Sequence, residues 1–172
     1  RAVIENFRQR FPYSKAEIVE SFFESFETDE RFDVIVFGYI LEHVEDPVLI
    51  LKHFRKFLAS GGRMFVTVPN AEVLNRRLGH LAGLLPDMRE LSDHDRLLGH
   101  KRHFTVDSLR KTVAESGYEI RRLEGIYLKP LTTLQMVSLR LDERILQALC
   151  QVAVDYPELS CGLLAELIPS DA

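Results

Sequence analysis

Three short stretches carry side chains able to do acid–base or coordination chemistry: Glu42-His43, Asp93-His94-Asp95, and His100 with Arg102 and His103. A histidine titrates near neutrality and can take a proton from a hydroxyl or an amine. For the downstream group two readings stay open, a lid in which one histidine is a base and Arg102 meets an anionic or hydroxyl-rich group, or a solvated polar loop. His43 is open in the same way, between proton acceptor and positioning hydrogen bonder. Histidines and carboxylates could also ligate a metal, but their spacing matches no compact zinc pattern, and no metal site is expected.

The elements that must position these residues are readable from hydropathy. Phe32 to Gly38 is a short apolar run rich in β-branched residues, the pattern of a parallel strand buried on both faces. Pro47 to Leu58 places Val48, Leu51, Phe54 and Leu58 at helical spacing behind a proline suited to a first turn. Ser60-Gly61-Gly62 should break that helix, and Arg63 to Val68 is a second strand ending at Pro69-Asn70. Strand, crossover helix and strand make a βαβ unit of a parallel sheet. Residues 38–46 leave the carboxyl end of its first strand, where open α/β sheets bind ligands.

Around this unit the pattern predicts a helix over residues 1–10 with a Val3, Phe7, Phe11 stripe, and a short strand over Ala16 to Val19. Residues 24–30 read as a helical turn or a loop. Residues 71–104 are a long polar stretch with no clean period, the form of a lid or binding loop. Thr105 caps a helix carrying Val106, Leu109 and Val113, with Gly117 just past its end. Tyr118 to Tyr127 is a strand, residues 131–154 are largely helical, and Leu163 to Ile168 is a final antiparallel edge strand. The fold class is α/β in one domain.

Composition sets outer limits. The 172 residues suffice for one sizeable core, and 46% apolar with 28% charged residues is ordinary for a globular chain. A net charge of -4 with well-mixed signs leaves no footprint for nucleic acid or an anionic membrane. Cys150 and Cys161, with no CxxC spacing, are expected as buried or semi-buried free thiols in a reducing cytoplasm.

The run Phe32-Asp33-Val34-Ile35-Val36, then Leu41-Glu42-His43-Val44 and Asp46-Pro47, resembles class I S-adenosylmethionine-dependent methyltransferases of bacteria, most of all those acting on small molecules. Gly61-Gly62, Val68-Pro69-Asn70, Gly99-His100-Lys101-Arg102-His103-Phe104-Thr105 and Gly117-Tyr118-Glu119-Ile120 continue the likeness over about residues 1–130. It implies a Rossmann-like sheet, mostly parallel with an antiparallel last strand, and S-adenosylmethionine as cofactor. It implies that Gly38, Tyr39 and Ile40 border the methionine end and that Ser21 and Phe22 meet the adenine. Ser21 departs from the acidic residue many relatives carry there. His43, His100 and His103 become the candidate catalytic residues, and Arg102 and Tyr127 the candidate acceptor contacts. The acceptor is expected to be a small molecule methylated on oxygen or nitrogen.

The likeness also implies that the amino-terminal strands and the Gly-rich cofactor loop are absent from this chain, with Arg1 just after the second strand. Alone it is then expected to be inactive and to fold poorly or self-associate through an open sheet edge. A clean monomer in sedimentation would count against that. Two other functions compete: a nicotinamide-dependent oxidoreductase on a similar sheet, and a catalytically silent methyltransferase-like binding protein.

Overall fold

Asp46 starts the helix that links the first two strands. In the computed structural model, which describes residues 2–170, β1 (Phe32–Gly38) and β2 (Leu58–Pro69) pair in parallel, with Val34 opposite Arg63 and Gly38 opposite Thr67. The crossover helix α2 (Pro47–Arg55) is capped by the Asp46 carboxylate, which accepts from the Leu49 amide at 3.0 Å. A cap of this kind contributes about 1 kcal/mol.

The glycine pair does a different job from the one predicted. The helix stops at Arg55, before the pair, and β2 runs straight through Gly61 and Gly62. A Cβ on Gly62 would lie 2.9 Å from the Phe32 carbonyl oxygen, so only glycine lets the two strand backbones approach here. Gly61, at φ +74°, turns the chain where the register shifts.

The sheet order is β1-β2-β4-β3, with β3 at Tyr118–Ile126 and β4 at Gly162–Pro169. β4 is antiparallel to both neighbours, so β1, β2 and β3 point the same way and the last strand alone runs against them. It is not the edge strand predicted. Leu163, Ala165 and Leu167 are fully buried and both of its edges are paired, which makes it a central strand.

One face of the sheet carries the core. Helix α5 (Val106–Glu115), capped by a Thr105–Ser108 box, buries Leu109 and Val113 against Met64, Val66 and Leu167. α2 adds Ile50 and Leu51. Each such side chain contributes roughly 1.5–3 kcal/mol through removal from water. Burial of β1 on both faces does not hold: Phe37 is buried while Val34 and Val36 are 49% and 65% exposed. The helices cover one face, and alternate side chains of β1 point to the other.

Further predictions change. Helix α1 (Ala2–Arg10) forms, but its apolar stripe buries nothing, with Val3 82% exposed. Ala16 to Val19 forms no strand, and a single 3₁₀ turn, Phe23–Ser25, follows. Residues 71–104 are not irregular throughout: they hold α3 (Leu74–Leu81) and the one-turn α4 (Asp93–Leu97). The predicted helical stretch after β3 divides into α6 (Thr133–Ser138) and α7 (Glu143–Ala153). α7 buries Ala153 and leaves Cys150 exposed, against expectation, while Cys161 is semi-buried.

Candidate functional site

The carboxyl end of β1 leads into the loop that carries Gly38, Tyr39 and Ile40. Gly38 faces open space, since a Cβ added there meets no atom within 4 Å. Tyr39 follows with φ +55°, a conformation costly for a non-glycine residue, held by hydrogen bonds from its amide to the Thr67 carbonyl (3.0 Å) and hydroxyl (3.1 Å). Burial pushes the Tyr39 phenol up. Ile40 turns back and packs against the core.

Glu42 and His43 complete this loop. Glu42 is 1% exposed, burial raises its carboxyl above the usual range, and its Oε2 has no hydrogen-bond partner. His43 Nδ1 lies 3.3 Å from the Gly99 carbonyl oxygen, which makes Nδ1 the donor and leaves Nε2 free to accept.

The segment 71–104 folds back onto this loop. A parallel bridge joins Asn70 to Phe104, and the Ala71 amide donates to the Phe104 carbonyl at 2.7 Å. The Lys101 amide donates to the Glu42 carbonyl at 2.8 Å, and its ammonium pairs with Glu45. These ties set the His100 ring edge-on to His43, with centroids 4.7 Å apart. His103 follows at 6.4 Å from His100.

Asp95, on α4, stands behind both: Oδ1 is 3.6 Å from His100 Nδ1 and Oδ2 is 3.3 Å from His103 Nε2. Burial lowers both histidines, with His43 adding to the effect on His100, so the two rings are held toward the neutral form. Burial works to raise Asp95, but bonds from the Ser92 hydroxyl and amide prevail and hold it low.

Each predicted residue has a definite place. His43, His100 and His103 are gathered into one cluster. Arg102 donates to the Glu45 carbonyl at 2.9 Å, so part of its guanidinium fastens the segment, and its Nη1 is buried without a partner. Ser21 and Phe22 flank the Phe23–Ser25 turn, whose Phe23 ring lies 6.2 Å from Phe37 of β1. They line an apolar groove with Phe26 and Phe54, and Phe22 is 80% exposed. Tyr127, also left-handed at φ +56°, lines a different pocket with Lys129, Met136 and Leu146.

Two features go beyond the sequence reading, which weighed a metal at these side chains and expected none. Donor atoms of Glu42, His43 and His100, and of Asp95, His100 and His103, lie within 4.8 Å of one another, so either set could hold a cation. His100 is too far in sequence from Glu42 and His43 for a spacing rule to announce the first set, and the second, within residues 95–103, fits no compact zinc spacing. The second is a groove of about 450 Å³ between α3 and residues 130–135, lined by Asn75, Leu78, Leu84, Leu131 and Gln135. The apolar island Leu78 to Leu85 was its one signal.

Comparison with known proteins places these features in context. A family model described as a methyltransferase domain matches residues 3–123. A ubiquinone biosynthesis O-methyltransferase of Parvibaculum lavamentivorans is 31% identical over 108 residues, covering 60% of this chain and 40% of that protein. One from Aliivibrio fischeri is 26% identical over 122 residues, covering 69% of this chain and 50% of its own length. The chain thus spans about half the length of these relatives or less. Among solved structures, an S-adenosylmethionine-dependent methyltransferase from Mesorhizobium loti superposes with a TM-score of 0.60 at 15% identity, over 97% of this chain and 76% of that one. The glycopeptide N-methyltransferase MtfA gives 0.56 at 12% identity, over 98% and 70%. Identities this low carry the fold alone.

Proposed function

This chain belongs to the methyltransferase-domain family, and on that premise we propose that it takes part in methyl transfer from S-adenosylmethionine to an oxygen or nitrogen of a small molecule. The observation that carries the reading is the convergence of His43 and His100, from segments 57 positions apart, on the carboxyl end of β1. That end is where α/β sheets hold their ligands.

The residues present fit such a cofactor on one side. Gly38 leaves room for a ligand to approach the backbone, and the unpartnered Glu42 Oε2 is a polar group available to it. The cofactor supplies an electrophilic methyl on a sulfonium. The chain's own part is to align the acceptor and remove its proton. Of the three histidines, His100 is best placed for the second task, since burial keeps it unprotonated and His43 closes one side of it. The segment 71–104 serves as the lid over the acceptor, with Arg102 and Tyr127 as acceptor contacts.

The ubiquinone biosynthesis relatives are O-methyltransferases by name, which favours a hydroxyl acceptor. Family membership supports this reading over a nicotinamide-dependent one. No described helix is long and apolar enough to cross a membrane, and cytoplasmic location belongs to the same proposal. So does pairing of a second copy along the free edge of β1, for which sedimentation at rising concentration should show association.

The function is tested by calorimetry with S-adenosylmethionine and its demethylated product. Saturable heat is expected, weakened when Gly38→Leu fills the space beside β1. Absence of heat with either ligand, on the intact natural protein, would overturn the reading.

A further inference from the structure

Asp95 takes no part in the transfer described so far, yet its carboxylate is the one acidic group standing at His100 and His103 together. It is itself fixed. The Ser92 amide and hydroxyl both donate to Oδ2, at 2.8 and 2.5 Å, as α4's capping box. That bond pattern turns Oδ1 toward the His100 ring. The three side chains are 19%, 12% and 7% exposed, so they meet in a place where water screens poorly.

A neutral imidazole has one donor nitrogen and one acceptor nitrogen, and the partner of one decides the role of the other. Asp95 faces Nδ1 of His100 and Nε2 of His103. A carboxylate can only accept, so its charge favours hydrogen on each of those nitrogens, through a 3.3 Å contact at His103 and across 3.6 Å at His100, where Nδ1 makes no hydrogen bond. His100 Nε2 is then the acceptor. Resting on the methyl-transfer reading, we propose that Asp95 is a positioning residue that fixes the tautomers of His100 and His103 and so makes His100 Nε2 the proton acceptor for the substrate hydroxyl. The proton passes from that hydroxyl to His100 Nε2 as the oxygen–carbon bond forms and the sulfur–carbon bond breaks.

The groups facing the pair determine the sign of the pH effect. His100 meets Asp95, His43, His103 and His94, and His103 meets Asp95 and Arg76. The Glu42 carboxyl also stands by His100, raised by its own burial, and the Arg89 backbone favours the charged form of His103, but Asp95 is the carboxylate that favours imidazolium at both rings. Replacing it by a neutral residue lowers the histidine pKa, so the base stays active to lower pH.

The test pairs Asp95→Asn with Ser92→Ala. For Asp95→Asn the rate of methyl transfer should fall on the order of 10²-fold, and the acid limb of its pH profile should move to lower pH. Ser92→Ala keeps the carboxylate, so it should loosen α4 yet leave the limb in place. Nitrogen-15 chemical shifts of the imidazoles, read without cofactor or acceptor, should show His100 protonated at Nδ1 in the wild-type protein. That measurement needs neither activity nor a folded variant, so it separates failure of this proposal from failure of the methyl-transfer reading. A His100 protonated at Nε2 would overturn it. So would an acid limb that moves equally in both variants, or a wild-type activity that is abolished by chelation and restored by a divalent cation, which would make these side chains ligands.

Discussion

His100→Ala is expected to slow methyl transfer by about 10²- to 10⁴-fold, the range supplied by a positioned general base, while cofactor affinity changes by only a few-fold. The split follows from where the ring sits. His100 belongs to the segment that folds onto the β1 loop, not to that loop itself, where the cofactor's methionine end is proposed to lie. Wild-type activity should decline on the acid side as His100 takes up a proton, and burial places that decline below the ordinary histidine range. His43→Ala should cost less, because its Nδ1 is committed to the Gly99 carbonyl and its main service is to hold the lid against the loop. Single-turnover rates with saturating cofactor, alongside calorimetry, measure both quantities. Equal losses in rate and cofactor affinity for His100→Ala would move that residue from the chemistry to the binding site.

Gly125→Ala is expected to be the most damaging single methyl addition in the sheet. The new Cβ would fall well inside van der Waals contact with the Ala153 carbonyl oxygen and with the Ser160 hydroxyl. Neither can retreat freely: Ser160 Oγ donates to Tyr156 O at 2.8 Å and lies 3.2 Å from Ala153 O. Two backbones, the end of α7 and the entry to β4, would have to move off β3. Overpacking a tight site costs roughly 1–3 kcal/mol, and a clash against backbone should reach the upper end of that range or pass it. Denaturant unfolding should show the fall as a lower midpoint at unchanged slope. A loss of unfolding free energy under about 0.5 kcal/mol, the level of an ordinary surface change, would show that α7 is not seated on β3 as described.

The two parallel strands and their crossover helix were legible because their hydropathy has a period, and because Asp46-Pro47 is a local start signal that needs no partner. The same holds for Thr105 and its helix. What escaped depends on partners distant in sequence. Leu163 to Ile168 reads as a strand from its own residues, but nothing local says that Met64 pairs with Leu167 and Ile120 with the same residue from the other side. The glycine pair looked like a helix stop because both roles select glycine, and only the close approach of Phe32 separates them. The histidines were singled out by type, and the sequence located His100 and His103 in one segment. That Asp95 stands between them is a consequence of how α4 turns, and no spacing rule reports it.

The placement of β4 bears on how the sheet is assembled in time. β2 and β3 share no ladder of their own, and their common neighbour is the last strand described in the chain. A nascent chain still lacking residues 162–169 holds β1 joined to β2 on one side and an unpartnered β3 on the other. Closing the sheet then means threading one strand between two waiting ones, over a sequence separation of about a hundred residues from Met64 to Leu167. Contacts that distant are slow to form. The β1–β2 pair with its Gly38–Tyr39 loop can therefore be in place on the ribosome before β3, and Tyr127 just beyond it, is locked to it.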